Sequence, residues 1–79
     1  FDPMPQLLKN VKLNNSDSLD NLKVQESIKA GEHAFGDLGR LLIRKSGTEP
    51  LLRVMGECED PILLESVVGN IVETVNALN

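Results

Sequence analysis

The residues most able to do chemistry lie together in Arg44-Lys45-Ser46-Gly47-Thr48-Glu49-Pro50, with Arg53 three residues on. Gly47 tolerates positive φ, so successive backbone N–H groups can turn toward one point and form an anion nest. Ser46 and Thr48 add hydroxyl donors. Arg44 presents a planar fork that matches two phosphate oxygens. Each hydrogen bond to a charged group is worth roughly 1.5–3 kcal/mol. Four or five such donors, arranged in advance, would hold a phosphate dianion. Glu49 is acidic and a poor phosphate ligand, so its expected part is to orient Arg40, Arg44 or Lys45. A second reading stands on the same residues: a polar hairpin loop with exposed arginines, since Gly, Ser and Thr are common turn formers.

The elements that must position this stretch follow from hydrophobic periodicity. Leu7 to Leu13 alternates as a strand, with Leu7, Val11 and Leu13 on one face, Lys9 between them, and Leu8, Asn10 and Lys12 on the other. Asn14 to Asp20 is polar and reads as a loop, with Asp20 as the expected N-cap of a helix over Asn21 to Phe35. Val24, Ile28, Gly31 and Phe35 fall at helical spacing, and Gly36 sits where the helix should stop. Arg40 to Lys45 and Leu51 to Glu57 read as two strands joined by a loop containing Gly, a hairpin that could return Arg53 toward Arg44. Asp60 and Pro61 then open a long helix striped by Leu64, Val67, Val68, Ile71, Val72, Val75 and Leu78. The order is β-α-β-β-α. It implies an α+β fold, a small mainly antiparallel sheet of three to four strands covered on one face by two helices.

Composition bounds what such a fold can serve. A chain of 79 residues supports one small domain, which buries only about 60% of its unfolded surface. The aromatic residues are Phe1 and Phe35, so the core must be aliphatic. No apolar run reaches the roughly 18 residues of a membrane span, and no secretory leader is visible. The lone Cys58 cannot form an internal disulfide, which fits a reducing, cytoplasmic setting. Cys58 and His33 are too few for a structural zinc site. The first residue is Phe1 rather than Met, in keeping with a processed product or a piece of something larger. Net charge is -4, yet the window Gly36 to Val54 nets +2 and the remainder -6. That balance speaks against nucleic acid and for a local anion site.

The stretch Arg44 to Pro50, continued by Leu51-Leu52-Arg53-Val54-Met55, resembles the C-terminal phosphate-binding loop of the α-D-phosphohexomutases. It is most similar to their amino-sugar branch, which carries Ser-Gly-Thr-Glu-Pro followed by Arg-Val-Met. The phosphomannomutase/phosphoglucomutase branch, the alternative within the family, usually has Asn at the position of Gly47. Pro5-Gln6, Asn10-Val11 and Gly39-Arg40 fit the same domain, so the resemblance covers nearly the whole chain. It implies a TATA-box-binding-protein-like closing domain of a multidomain enzyme, with residues 1–79 as that single domain. It implies that Arg44, Ser46, Gly47, Thr48 and Arg53 contact substrate phosphate. It further implies that the whole enzyme interconverts glucosamine 6-phosphate and glucosamine 1-phosphate through a bisphosphate. Three departures stand out: Lys45 where Pro is usual, Lys9 where an apolar residue is usual, and Gly56 where a β-branched residue is usual, which should weaken the third strand.

Phosphoryl transfer also needs a nucleophile and a stabiliser of developing charge. The family uses a phosphoserine and Mg²⁺ held by an aspartate-rich loop in earlier domains; this sequence is expected to hold neither, and to be inactive alone. Ser16, Ser18, Ser27 and Ser66 are expected in turns or on helix surfaces. Glu57 and Glu59 are expected as surface acids, Asp60 as a helix cap, His33 as a surface residue and Cys58 as an inert, half-buried thiol. The expected partners are a phosphosugar and the other domains of the polypeptide, with no nucleic acid and no membrane. A reading of another class is a free-standing module whose hairpin binds an acidic protein or a small anion; several hundred further residues upstream of Phe1, with a serine loop and an aspartate-rich loop, would discriminate against it.

Overall fold

The computed structural model describes residues 4–13, 21–46 and 50–78. Strand β1 (Gln6–Lys12) is followed by helix α1 (Leu22–Phe35), a 3₁₀ turn (Gly36–Leu38), strands β2 (Gly39–Lys45) and β3 (Leu51–Cys58), and helix α2 (Pro61–Leu78). The sheet has three strands in the order β1-β3-β2, and both pairings are antiparallel. The expected α+β architecture is therefore present, with both helices on one face. β3 is central, which its alternation explains: Leu52, Val54 and Cys58 are fully buried under the helices, while Arg53 turns to the other side.

Helix ends follow elementary capping chemistry. Asp60 caps α2 as expected: its carboxylate accepts from the N–H of Ile62 at 3.0 Å and of Leu63 at 3.3 Å. Helix α1 corrects the expected cap. Asn21, not Asp20, is the N-cap, and its side-chain oxygen accepts from the Lys23 N–H at 2.8 Å. Asp20 and the rest of the Asn14–Asp20 loop lie outside the described residues, as do Ser16 and Ser18. α1 stops at Gly36, whose φ of 54° lies in the left-handed region and whose N–H returns to the Glu32 carbonyl.

Among the described residues the core is aliphatic, with Phe35 its aromatic member. Val24, Phe35, Leu52, Val54, Val68, Ile71 and Val75 are fully buried. Full burial of such a side chain contributes roughly 1.5–3 kcal/mol. Two expectations are corrected here. Ser27 is buried on the inner face of α1, where its hydroxyl donates to the Val24 carbonyl at 2.8 Å. That local bond removes the cost of an unpaired buried hydroxyl. Cys58 is fully rather than half buried.

The sequence departures at Lys9 and Gly56 find physical reasons. β1 is an edge strand, so Lys9 escapes to solvent from the inner side of the sheet and leaves Val11 and Leu13 to fill the core. At Gly56 a Cβ would meet Val68 Cγ2 at 2.9 Å and Leu64 Cδ1 at 3.0 Å, so a side chain there would require these α2 residues to shift. Gly69 is the opposite case. It lies within α2, and a methyl group added there would have nothing within 4 Å, so its only effect is on backbone entropy. Gly69→Ala should raise stability by about 1 kcal/mol and the melting temperature by roughly 4–8 °C. A thermal melt that stays flat or falls contradicts this.

Candidate anion site on the open sheet face

Among the described residues nothing covers the face of the sheet away from the helices, and strand register arranges its side chains in transverse rows, three of which cross all three strands. The first is Gln6–Glu57–Arg40, the second Leu8–Met55–Leu42, the third Asn10–Arg53–Arg44. The rows differ in chemistry, and they run toward the β2–β3 loop.

In the first row Arg40 Nε donates to Glu57 Oε1, and Gln6 Nε2 donates to Glu57 Oε2 at 3.2 Å. Glu57 is thus a shared acceptor, not the plain surface acid expected from alternation alone. The Arg40 hydrogen bond, then that of Gln6, holds its carboxyl below the ordinary carboxylate range. A lowered folded-state pKa gives stability that is present above the unfolded value and lost as pH falls through the folded one. Glu57 should therefore protonate below the ordinary glutamate range on acidification, and Arg40→Ala should raise its midpoint toward that range. Carboxyl ¹³C shifts followed against pH check this; an unchanged midpoint in the variant contradicts it.

The second row is apolar, with Leu8 49% and Leu42 47% exposed. The third row is basic. Arg44 and Arg53 are directly opposite one another on adjacent strands, where Cβ atoms are about 4.5–5.5 Å apart. Like charges so placed are destabilising. Among the described residues neither arginine pairs with a carboxylate. A depression of about 270 Å³ opens beside them, lined by Asn10, Arg44, Lys45, Ser46, Leu51 and Arg53. Two adjacent guanidinium groups at a concavity are a place where one anion relieves a repulsion and satisfies both forks.

Of the residues singled out from sequence, Arg44, Ser46 and Arg53 come together at this depression. Gly47, Thr48 and Glu49 lie outside the described residues. The Ser46 N–H donates to the Leu51 carbonyl at 2.9 Å, so it closes the hairpin rather than facing an anion. Lys45, in place of the usual Pro, is the last residue of β2 and pairs with Leu52. Sheet pairing holds that position without a proline ring. Asn10 is the site residue that the sequence does not single out. Its outward parity in β1 is readable, but its place beside Arg53 depends on which strand β1 joins and in what register.

Among the described residues no three of His, Cys, Asp and Glu converge. Glu57 is committed to Arg40 and Gln6, Asp60 to the α2 N-terminus, and Ser66 and His33 are exposed on helices. Among the described residues no helix is long and apolar enough to cross a membrane.

Residues 8–74 match the family model for the phosphoglucomutase/phosphomannomutase C-terminal domain. The chain belongs to this family. Among its relatives in the phosphoglucomutase/phosphomannomutase family are the phosphoglucosamine mutases of Parvibaculum lavamentivorans, 53% identical over 75 residues, and Zymomonas mobilis, 55% identical over 75 residues. Each alignment takes in 95% of this chain and 17% of the relative, so the chain spans about a sixth of their length. The fold recurs in Aspergillus fumigatus N-acetylphosphoglucosamine mutase, with a TM-score of 0.78 at 19% identity over 96% of this chain and 16% of that one. A structure of that fungal enzyme with GlcNAc-6P and magnesium matches with a TM-score of 0.75 at 20% identity, again over 96% of this chain and 16% of that one.

Proposed function

We propose that this chain is the phosphosugar-clamping C-terminal domain of a phosphoglucosamine mutase. Residues 1–79 form one domain of a longer, cytoplasmic, multidomain enzyme that interconverts glucosamine 6-phosphate and glucosamine 1-phosphate. The domain grips the phosphate not undergoing transfer, through Arg44, Ser46, Gly47, Thr48 and Arg53, and closes over the sugar. Closure of this sort positions the reacting group and excludes water. The nucleophile and Mg²⁺ belong to other domains of the same polypeptide. The partners are a phosphosugar and those domains, not nucleic acid or a membrane.

The observation that carries this reading is the juxtaposition of Arg44 and Arg53, without a described carboxylate partner, at a depression reached by Ser46. Identity of 53–55% to phosphoglucosamine mutases supports the amino sugar over the hexose branch. By itself the domain should bind weakly, with a Kd on the order of millimolar, about 4 kcal/mol. It should not turn substrate over. An NMR titration with glucosamine 6-phosphate tests the assignment. The Gly47 and Thr48 amides and the Arg44 and Arg53 side chains should shift first. Small uniform shifts, or shifts centred on α2, would instead favour a protein-binding module.

A further inference from the structure

The third row contains a group that a phosphate does not need. Asn10 faces the depression beside two arginines, directly opposite Arg53 in register. Adjacent strands are about 4.8 Å apart, so Asn10 stands roughly 10 Å of backbone from Arg44, with Arg53 between. Its side chain is exposed and makes no hydrogen bond with another described residue. A fully ionised phosphate offers acceptors only and is matched by donors alone. A carboxamide supplies both a donor and an acceptor, and its acceptor oxygen is useless to an oxyanion. It is suited to a hydroxyl or amino group, which donates and accepts in turn.

Building on the phosphate-clamp reading above, we propose that Asn10 is a specificity-determining residue of the site. Its carboxamide reads a hydroxyl or amino group on the carbon skeleton next to the bound phosphate. The site is thereby matched to a hydroxylated phosphate monoester rather than to bare phosphate. The placement is consistent with the size of such a ligand. With the phosphate at the Arg44/Arg53 end, the adjoining carbons extend along the row toward β1, bordered by the apolar row of Leu8, Met55 and Leu42. Asn10 stands on the far side of Arg53 from Arg44, two strand spacings away, so a phosphate held between the two guanidinium groups lies away from its amide, and its effect should be confined to the ester's carbon-bound polar groups.

The test uses inorganic phosphate and glucosamine 6-phosphate as separate probes, titrated into the intact protein and two variants. Asn10→Val removes both hydrogen-bonding functions with a side chain suited to an exposed strand. Asn10→Thr keeps nearly the same shape and restores one hydroxyl. Affinity for glucosamine 6-phosphate should fall about fivefold in Asn10→Val and recover in part in Asn10→Thr. Affinity for inorganic phosphate should be unchanged in both. Equal losses for the two probes overturn the inference, because Asn10 would then act only through Arg53. No loss for either probe overturns it as well. Failure of the unaltered protein to bind inorganic phosphate at Arg44 and Arg53 would instead bring down the clamp reading, and this inference with it.

Discussion

Arg44→Ala should lower affinity for glucosamine 6-phosphate by roughly 30- to 100-fold while leaving the fold as stable as before, or slightly more so. The two effects have opposite signs because they come from one arrangement. Arg44 is directly opposite Arg53, and neither has a carboxylate partner among the described residues. In the free protein the two charges repel, by on the order of 1 kcal/mol at high dielectric. Removing one relieves that repulsion. With a dianion bound, the same guanidinium supplies up to two charge-assisted hydrogen bonds of roughly 1.5–3 kcal/mol each, and their loss dominates. Arg44→Gln separates charge from shape, since it keeps a polar stem and should also bind poorly. Arg44→Lys keeps the charge but not the fork, and should fall between. Calorimetric titration reads the binding and chemical denaturation the stability. If Arg44→Ala destabilised the domain by more than about 1 kcal/mol, Arg44 would be a structural residue and the repulsion argument would be wrong.

How much of this is legible in the residues depends on the range of the interaction. Local signals report well. Asp60-Pro61 opens α2, Gly36 closes α1, and alternation in Leu51–Cys58 separates Arg53 from Leu52 and Val54. The hairpin also makes the nearness of Arg44 and Arg53 readable, because the loop between their strands is short. Non-local facts are out of reach. Alternation puts Glu57 on the open face, but only the register β1-β3-β2 brings Gln6 and Arg40 to either side of it. The same holds for Asn10 beside Arg53. The polarity of Ser27 points to the surface; its burial follows from the helix face it shares with Val24 and Gly31, and its hydroxyl is satisfied within its own turn. By residue type Gly56 weakens β3, whereas its missing side chain is what lets Val68 and Leu64 approach. Composition alone cannot distinguish a tolerated glycine from a required one.

Gly39→Ala carries that distinction to its largest consequence and should cost at least about 2–3 kcal/mol. The backbone conformation is not the reason, since Gly39 has φ of -170°, extended geometry open to any residue. The reason is space. A Cβ on Gly39 would lie 2.2 Å from the Glu57 carbonyl oxygen and 2.8 Å from both Cα and Cβ of Cys58. A side-chain clash can be relieved by rotation, but these atoms are backbone or attached directly to it. The strands must separate, and Gly39 pairs with Cys58 at the point where β2 begins. Separation there pulls on the Glu59 N–H bond to the Leu38 carbonyl and on the adjacent Arg40–Glu57 pair. It also loosens Cys58, which is fully buried. Overpacking that a core can absorb costs about 1–3 kcal/mol, and this site has little to absorb it with. A small domain holds only about 5–15 kcal/mol in total, so the loss would be visible as a much lower denaturation midpoint. Hydrogen exchange should accelerate first at Leu38–Leu41 and at Cys58–Glu59, while α2 keeps its protection until global unfolding. Stability within about 0.5 kcal/mol of the original would mean that β2 and β3 are farther apart at this end than the structure places them. The comparison with Gly69→Ala is internal to the protein: one identical substitution, stabilising in an open helix and destabilising against a neighbouring strand, with space around the added methyl group deciding the sign.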